Sequence, residues 1–339
     1  MSSDLPLRHR HRRLVALLAL GALVCGGCAA NPPAPGVSTD RVGRPSLSTV
    51  PGPVYPLNSR YTVEIEPGDD HQQVVQLIDR ATRTIAVALA GLGDPRVTTA
   101  LIRAHERGVE VSVALPRGLH PSPSARALAD ANITIGTAAP GMSALSVDGD
   151  IAAVATAGLP DLADGPARRA AIVYTRNATQ IDAVNTFMTT ARVTESEGLV
   201  QGVKAIPAAA RIIAAARGDL VVETGSLTNS EITQAITSAA QRGVPCRVVT
   251  NRPGAGNQLD ALVRAGCRVR VHENAAIALN VITTDAGVAV GSASFDESPG
   301  EGMQLLSLPP DPRTVDGYDD LRTTPWADFA QGATWPGSR

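Results

Sequence analysis

Two stretches of the sequence carry one pattern: residues 78–108 read IDRATRTIAVALAGLGDPRVTTALIRAHERG, and residues 213–243 read IAAARGDLVVETGSLTNSEITQAITSAAQRG. The stretches align without a gap, and small, aliphatic and Arg-Gly positions coincide along their whole length. Each predicts the end of a helix, a strand and a second helix, because the apolar period changes from helical to extended and back. A shared pattern of this length indicates an internal duplication.

The same order continues around both stretches, so each copy predicts three helices that alternate with three strands, then a β-hairpin, a further strand and a closing helix. Strands that alternate with helices predict an α/β fold in which a largely parallel or mixed sheet is flanked by helices. The predicted elements are 72–81, 84–89, 95–107, 109–115, 122–131, 133–137, 144–147, 151–155, 170–174 and 181–188 in the first copy, and 207–217, 220–223, 230–242, 246–250, 257–265, 267–272, 279–284, 288–290, 303–308 and 316–329 in the second.

The hairpin of the second copy has the most informative residues. Ala278, Asn280 and Asp285 lie along its first strand, and Gly291-Ser292 follow its second. This spacing resembles the signature of the phospholipase D superfamily, in which His, one residue, Lys, four residues and Asp precede a Gly-Ser pair. Ala278 stands in the His place and Asn280 in the Lys place, while Asp285 matches. The resemblance implies two duplicated phospholipase D-like halves related by a pseudo-twofold axis, which we place at residues 61–195 and 196–339.

The first copy has lost the same two residues. Gly141 stands in its His place and Ser143 in its Lys place, Asp148 matches, and Ala155-Thr156 replace Gly-Ser. In the superfamily the histidines attack phosphorus and protonate the leaving oxygen, and the lysines neutralise the phosphoryl charge. The only lysine of the chain, Lys204, lies outside both motifs. The resemblance therefore predicts a catalytically inactive relative.

We expect the remaining polar groups to line a cleft between the halves and to bind a polar envelope ligand or a protein partner. The candidate cleft residues are Ser143, Asp148, Asn280, Asp285, Ser292 and Ser294. Asp148 and Asp285 have an alternative role as turn caps. The alternative function is an active phosphodiesterase or phospholipase D-type hydrolase that uses Asp148, Asp285 and a substitute base, His272, at the end of a predicted strand. A third interpretation is a structural protein whose cleft is filled by side chains.

The other histidines give no metal site in the sequence. His71 follows two acidic residues at a predicted helix start, where a capping role is expected rather than metal binding. No metal and no cofactor are therefore expected.

The N-terminus predicts export. Arginines at positions 8, 10, 12 and 13 precede an apolar run over residues 14–24 and the sequence CGGC at residues 25–28. A basic segment, a short apolar segment and small residues are typical of a signal peptide. The ending resembles a bacterial lipobox, which implies cleavage after residue 27 and lipidation of Cys28, with an uncleaved anchor as the alternative. Residues 28–60, rich in Pro, Ser and Gly, predict a tether. We therefore expect a lipoprotein anchored at the extracytoplasmic face of the cell membrane.

The charge of the chain bears on nucleic-acid binding, and its cysteines bear on disulfide formation. The net charge is −2 and aromatic residues make up 3% of the chain, which argues against a nucleic-acid partner. Cys246 and Cys267 begin two apolar runs that we interpret as neighbouring parallel strands. In an exported protein such a pair forms a disulfide if the strand register permits it, and otherwise remains as two buried thiols.

Overall fold

The structure is a computed structural model that describes residues 56–66, 71–138, 143–159, 168–190, 198–251, 256–271, 276–292, 295–296, 304–307, 315–322 and 333–334. It confirms the predicted alternation of helices and strands, with described element ends shifted by up to three residues. The predicted helix 316–329 is helical at residues 318–322, and its remainder lies outside the described residues. The first part of the chain forms β1 (Tyr61–Glu66), α1 (Gln72–Arg80), β2 (Thr84–Ala88), α2 (Pro95–Glu106), β3 (Glu110–Leu115), α3 (Pro123–Asp130), β4 (Ile135–Thr137), β5 (Ala144–Val147), β6 (Ile151–Ala155), β7 (Arg168–Thr175) and α4 (Ala178–Thr190).

The second part of the chain repeats this order. Its elements are β8 (Leu199–Gln201), α5 (Ala205–Ala215), β9 (Leu220–Thr224), α6 (Ser230–Gln241), β10 (Cys246–Thr250), α7 (Gly256–Arg264), β11 (Arg268–Val271), β12 (Ala276–Ile277), β13 (Asn280–Thr284), β14 (Gly287–Gly291), β15 (Gln304–Ser307), β16 (Val315–Asp316) and β17 (Ala333–Thr334). Among the described helices, none is both long and apolar enough to cross a bilayer.

The strands form two mixed sheets with matching order. The first sheet runs β16-β1-β7-β6-β5-β2-β3-β4, and the second runs β8-β15-β14-β13-β9-β10-β11-β17. The seven strands from β1 to β4 match the seven from β8 to β11 one to one. In each sheet the three strands that alternate with helices pair in parallel, and the hairpin strands pair antiparallel. The duplication read from 31 residues of sequence therefore extends to the strand order of both sheets.

Short strands connect the first sheet to the second half of the chain. Strand β12 pairs with β7, and β16 pairs with β1, so both add to the first sheet although they follow residue 196 in sequence. The two-residue pairings place the second hairpin directly beside β7. Two short strands from the second half thus add to the first sheet, which the predicted division of the chain at residue 195 does not anticipate.

The apolar core has three main parts. Two parts lie between a sheet and its helices, and the third joins the sheets. In that third part Ala144 and Val173 of the first sheet share one cluster with Val249, Val281 and Val290 of the second. Because side chains alternate along a strand, each sheet has a helix-covered outer face and an inner face. The inner faces therefore meet in a largely apolar layer, to which Ile181 and Val184 of helix α4 also contribute.

The two cysteines lie on neighbouring strands, as predicted. Strands β10 and β11 are parallel, with Arg247 beside Arg268. This register brings Cys246 and Cys267 together, and they form a disulfide with 4.6 Å between their Cα atoms. Both cysteines are buried against the helices of the second half.

Candidate functional site

The second hairpin lies in the middle of its sheet, between β9 and β15. The backbone N–H of Ala278 donates to the carbonyl oxygen of Arg169 at 2.7 Å. Asn280 is completely buried opposite Thr224, and their side chains are joined by a short hydrogen bond between Asn280 Oδ1 and Thr224 Oγ1. The residue in the Lys place of the superfamily signature is therefore a neutral amide within the packed sheet.

The corresponding residues of the first half also have structural contacts. Ser143 is completely buried, and its Oγ accepts a hydrogen bond from the backbone N–H of Ala90 at 3.2 Å. Thr156 Oγ1 accepts from the backbone N–H of Ala171 at 3.0 Å. Both hydroxyls thus satisfy backbone groups where strands end.

The two signature aspartates lie at the opposite end of their hairpins. Asp148 Oδ1 accepts from the amides of Arg83 and Thr84 at 2.7 and 2.9 Å, while its Oδ2 accepts from the amide and hydroxyl of Thr82. Burial raises the pKa of Asp148, but the amide bonds from Thr84, Thr82 and Arg83 outweigh it and lower the pKa to about 2. Asp148 therefore holds the turn before β2.

Asp285 repeats this arrangement in the second half. Its Oδ1 accepts from the backbone N–H of Arg217 at 2.8 Å. Burial raises the pKa of Asp285, whereas the amides of Arg217 and Gly218 lower it, so that the pKa lies below its usual value. The contacts of both aspartates support the turn-capping interpretation.

Among the described residues, the candidate cleft residues do not lie at one place. Strand β5 separates Ser143 from Asp148, and five residues of extended chain span roughly 17 Å. Strand β13 separates Asn280 from Asp285 in the same way. Asp148 and Asp285 thus lie far from Ser143 and Asn280, because a signature that is compact in sequence is extended in space, and their role in a ligand site stays a prediction. Ser292 lies at the end of β14, whereas Ser294, His272 and Cys28 lie outside the described residues.

A buried salt bridge crosses the layer between the sheets. Arg169 of β7 donates from Nε to Glu223 Oε1 of β9 at 2.6 Å, and both side chains are 1% exposed. Arg169 also accepts the N–H of Ala278 through its carbonyl, and Glu223 lies opposite Val281 of the hairpin. The ion pair therefore lies next to the signature positions. No prediction from the sequence includes this pair, although Glu223 is the one charged residue of β9 and Arg169 is one of two adjacent arginines that begin β7.

The described part of the inter-sheet layer is closely packed. The void between β6 and β14, bordered by Thr156 and Ser292, has a volume of about 10 Å³, which holds about one water molecule. An open pocket of about 610 Å³ lies at the other end of the first hairpin, beside Asp148, Arg80 and Arg176. Between β6 and β14, side chains therefore leave space for no more than about one water molecule.

His71 has a different role from the expected helix cap. It is the N-cap residue of α1 in a left-handed conformation, with φ of 62°, yet its side chain makes no cap hydrogen bond. Its Nδ1 lies 2.9 Å from Asp94 Oδ2, and both side chains are 2% exposed. Burial raises the pKa of Asp94, but bonds from His71 and Arg96 bring this pKa far below its usual value. Among the described residues, no group of three His, Cys, Asp or Glu side chains is placed to hold a metal ion.

Comparison with known proteins defines the fold. No protein-family model and no curated protein sequence matches the chain. Phosphatidylserine synthase from Haemophilus influenzae superposes with a TM-score of 0.61 and 10% identity over 85% of this chain and 90% of its own. Polyphosphate kinase from Porphyromonas gingivalis gives a TM-score of 0.53 and 14% identity over 73% of this chain and 44% of its own, so this chain matches less than half of that enzyme.

Both proteins are members of the phospholipase D-like superfamily. This chain has a mixed α/β fold of two helix-flanked sheets, and that fold is the phospholipase D-like fold. The expectation taken from the hairpin signature is thereby confirmed for the architecture.

Proposed function

We propose that this chain is an exported, lipid-anchored protein of the bacterial cell envelope that keeps a phospholipase D-like fold without its catalysis. It acts there as a module that binds a ligand or a protein partner. The observation that carries this proposal is the state of the two Lys places: Ser143 and Asn280 are neutral, completely buried and engaged in structural hydrogen bonds. Phosphoryl transfer requires a nucleophile and cations directed at the substrate, and neither residue supplies them.

The buried salt bridge supports the same conclusion. Glu223 directs a carboxylate at Arg169 in the layer next to the signature positions. A carboxylate repels a phosphodiester, and the guanidinium that would attract the substrate is already paired with it. The ion pair therefore serves packing of the two sheets rather than recognition of a phosphoryl group.

Two features support export and anchoring. The sequence CGGC at residues 25–28 follows a short apolar run, as expected for a lipidated cysteine. The Cys246–Cys267 disulfide fits an oxidising compartment, because cytosolic reductants keep most thiols reduced. A diacylglycerol at Cys28 would hold the folded part at the membrane through the tether.

The test is hydrolysis by the purified full chain. We expect no release of nitrophenol from bis-p-nitrophenyl phosphate and no cleavage of phospholipid vesicles above a buffer blank. The Cys28→Ser variant, which lacks the acylated thiol, should leave the membrane fraction and be equally inactive.

Turnover by the wild-type chain that His272→Ala abolishes would establish the alternative, an active phosphodiesterase. His105→Ala, which changes a partly exposed histidine of α2, is the matched control for that variant.

A further inference from the structure

An open pocket of about 610 Å³ lies at the turn of the first hairpin, and we call it the hairpin pocket. Asp148 and Asp150 of the turn border it, together with helix α1 and the chain that precedes β1. Ser143 lies beyond the opposite end of β5, so the hairpin pocket is separate from the signature position that Ser143 occupies. Pockets for small ligands typically have volumes of about 300–1,000 Å³. The hairpin pocket therefore has the size of a ligand site.

The lining of the hairpin pocket combines aliphatic and amide side chains. Leu77 and Ile151 are buried residues of its apolar part. Asn58, Gln73 and Gln76 supply side-chain amides, and Gln73 is 3% exposed. A side-chain amide can both donate and accept hydrogen bonds. A ligand that fits this lining therefore has apolar groups and neutral polar groups close together.

Two arginines and two aspartates also border the hairpin pocket. Both carboxylate oxygens of Asp148 accept hydrogen bonds from the turn before β2, and Asp150 forms an ion pair with Arg83 at 3.3 Å. Arg176 donates from Nε to a backbone carbonyl oxygen at 2.6 Å. Within the described part of the chain, the exposed side chain of Arg80 makes no hydrogen bond and no ion pair. The aspartates thus have partners within the protein, whereas both exposed arginines keep donors for a ligand.

The charges of this lining favour a single carboxylate over a multiply charged anion. Two arginines are balanced by two aspartates, so a second negative charge on the ligand gains no net attraction. The planar guanidinium fork fits one carboxylate with two parallel hydrogen bonds. The ligand group that matches Arg80 and Arg176 is therefore a carboxylate.

The second half lacks the polar part of this lining. When the alignment of residues 78–108 with 213–243 is continued through the preceding helix, Ala208 takes the place of Gln73 and Ala215 that of Arg80. Helix α5 forms with these alanines and packs on its sheet. The fold therefore does not require the amide and the guanidinium, and the polar lining is specific to the first half.

We propose that the hairpin pocket binds the C-terminal end of a peptide whose last residue is apolar. The free carboxylate pairs with Arg80 and Arg176, the last peptide bonds pair with the side-chain amides, and the last side chain packs on Leu77 and Ile151. A fatty acid has a carboxylate and an apolar chain but no groups for the three amides, so a peptide matches the lining better. This inference rests on the proposed binding role and names the class of its ligand.

The test is calorimetric titration of the purified full chain with N-acetyl-Ala-Ala-Leu at ~20 mM salt, where screening is weak. The same peptide with a C-terminal amide should bind about tenfold more weakly or worse, because it lacks the charge-assisted hydrogen bonds. Arg80→Ala, which gives α1 the residue of α5, should weaken binding of the carboxylate peptide to a similar extent. Arg126→Ala removes an exposed arginine of α3 that does not border the pocket and should leave the affinity unchanged.

Three results overturn the hairpin pocket as a peptide site. One is absence of binding at peptide concentrations up to about 5 mM, where a site of millimolar affinity is measurable. The second is equal affinity for the carboxylate and amide peptides, or an equal loss in Arg80→Ala and Arg126→Ala. The third is binding of decanoate, but not of the peptide, with the same dependence on Arg80, which identifies a fatty-acid site instead.

Nitrophenol release from bis-p-nitrophenyl phosphate, measured on the same samples, separates this inference from the proposed function. Peptide binding without turnover supports both. Turnover together with peptide binding overturns the non-catalytic role and leaves the peptide site in place. Absence of both peptide binding and turnover overturns the peptide site alone.

Discussion

Helix α2 of the first half begins after Asp94, and helix α6 of the second half begins after Asn229. Asp94 accepts a hydrogen bond from the N–H of Arg96, and Asn229 accepts one from the N–H of Ile232. The hairpin aspartates Asp148 and Asp285 match in the same way. Each accepts hydrogen bonds from backbone amides of the turn that precedes the first parallel strand of its half. The two halves thus share the polar residues that hold backbone ends and turns.

The halves differ at positions where the second half has a charged residue or a disulfide cysteine and the first half has a neutral residue. By strand register, Ala88 is the counterpart of Glu223, Val111 of Cys246, and Ser112 of Arg247. The first half forms the same strand order with these small or neutral residues. The shared residues are therefore those that the fold requires, and the unshared residues of the second half are candidates for roles specific to this protein.

The largest effect is expected from Glu223→Ala, which gives the second half the residue of the first. This change leaves Arg169 as a buried charge without its carboxylate partner, which typically costs about 3–5 kcal/mol. Chemical denaturation of the wild-type chain and the variant measures the difference in free energy of unfolding.

The control is Arg169→Met/Glu223→Leu, which removes both charges and keeps their volume. We expect this variant to unfold within about 1 kcal/mol of the wild type, because apolar replacement of a buried ion pair is often neutral. A loss under about 1 kcal/mol for Glu223→Ala alone would show that the salt bridge does not hold the sheets together.

Local elements were the part of the fold that could be predicted from sequence. Strands β5, β6 and β10 have their predicted ends, because alternation, turn residues and the duplication all indicate the same limits. Strands β1, β8, β12, β16 and β17 were not predicted; the last three have two residues each, and two residues carry no periodicity. The pairing of β12 and β16 depends on how the sheets pack. The close approach of Gly158 to the backbone of Gly91 depends on packing in the same way: a Cβ atom at position 158 would lie 2.5 Å from the Gly91 nitrogen.

The candidate site was predicted less well. The signature gave the correct fold and the correct hairpins, but Asp148 and Asp285 were placed with Ser143 and Asn280 because they are close in sequence. A strand of four or five residues separates each pair. The Arg169–Glu223 contact joins residues 54 positions apart on different sheets, and no local pattern contains that information.

Removal of the disulfide has the next largest expected effect. Cys246→Ala/Cys267→Ala opens a loop with a sequence separation of 21 residues, for which the chain-entropy estimate is about 3 kcal/mol of stability. Val111→Ala, which truncates the first-half counterpart of Cys246, should cost less, since no covalent bond is lost. Denaturation curves of the wild-type chain with and without a thiol reductant provide an independent check. Equal midpoints in these two curves would contradict a stabilising disulfide.

The smallest difference is expected between the two hairpin aspartates. Asp148→Asn removes a charged acceptor of three amides and one hydroxyl and should cost about 2 kcal/mol at pH 7. Asp285→Asn should also destabilise the chain, because the amides of Arg217 and Gly218 outweigh burial and lower the pKa of Asp285. The ordinary pKa of an aspartate is 3.8, and that of Asp148 in the folded chain is about 2.

The pH dependence of the free energy of unfolding distinguishes a charged turn cap from a neutral one. A carboxylate with a lowered pKa in the folded state stabilises the fold fully above its unfolded pKa and loses this contribution as pH falls through the folded value. The gap in stability between the wild type and Asp148→Asn should therefore be constant from pH 7 to about pH 5 and shrink between about pH 4 and pH 2. The gap in stability between the wild type and Asp285→Asn should likewise shrink as pH falls below about 3.8, the ordinary pKa of an aspartate. If both gaps stay constant down to pH 2, the two aspartates act through shape and neutral hydrogen bonds, and the shared turn caps of the two halves are not electrostatic.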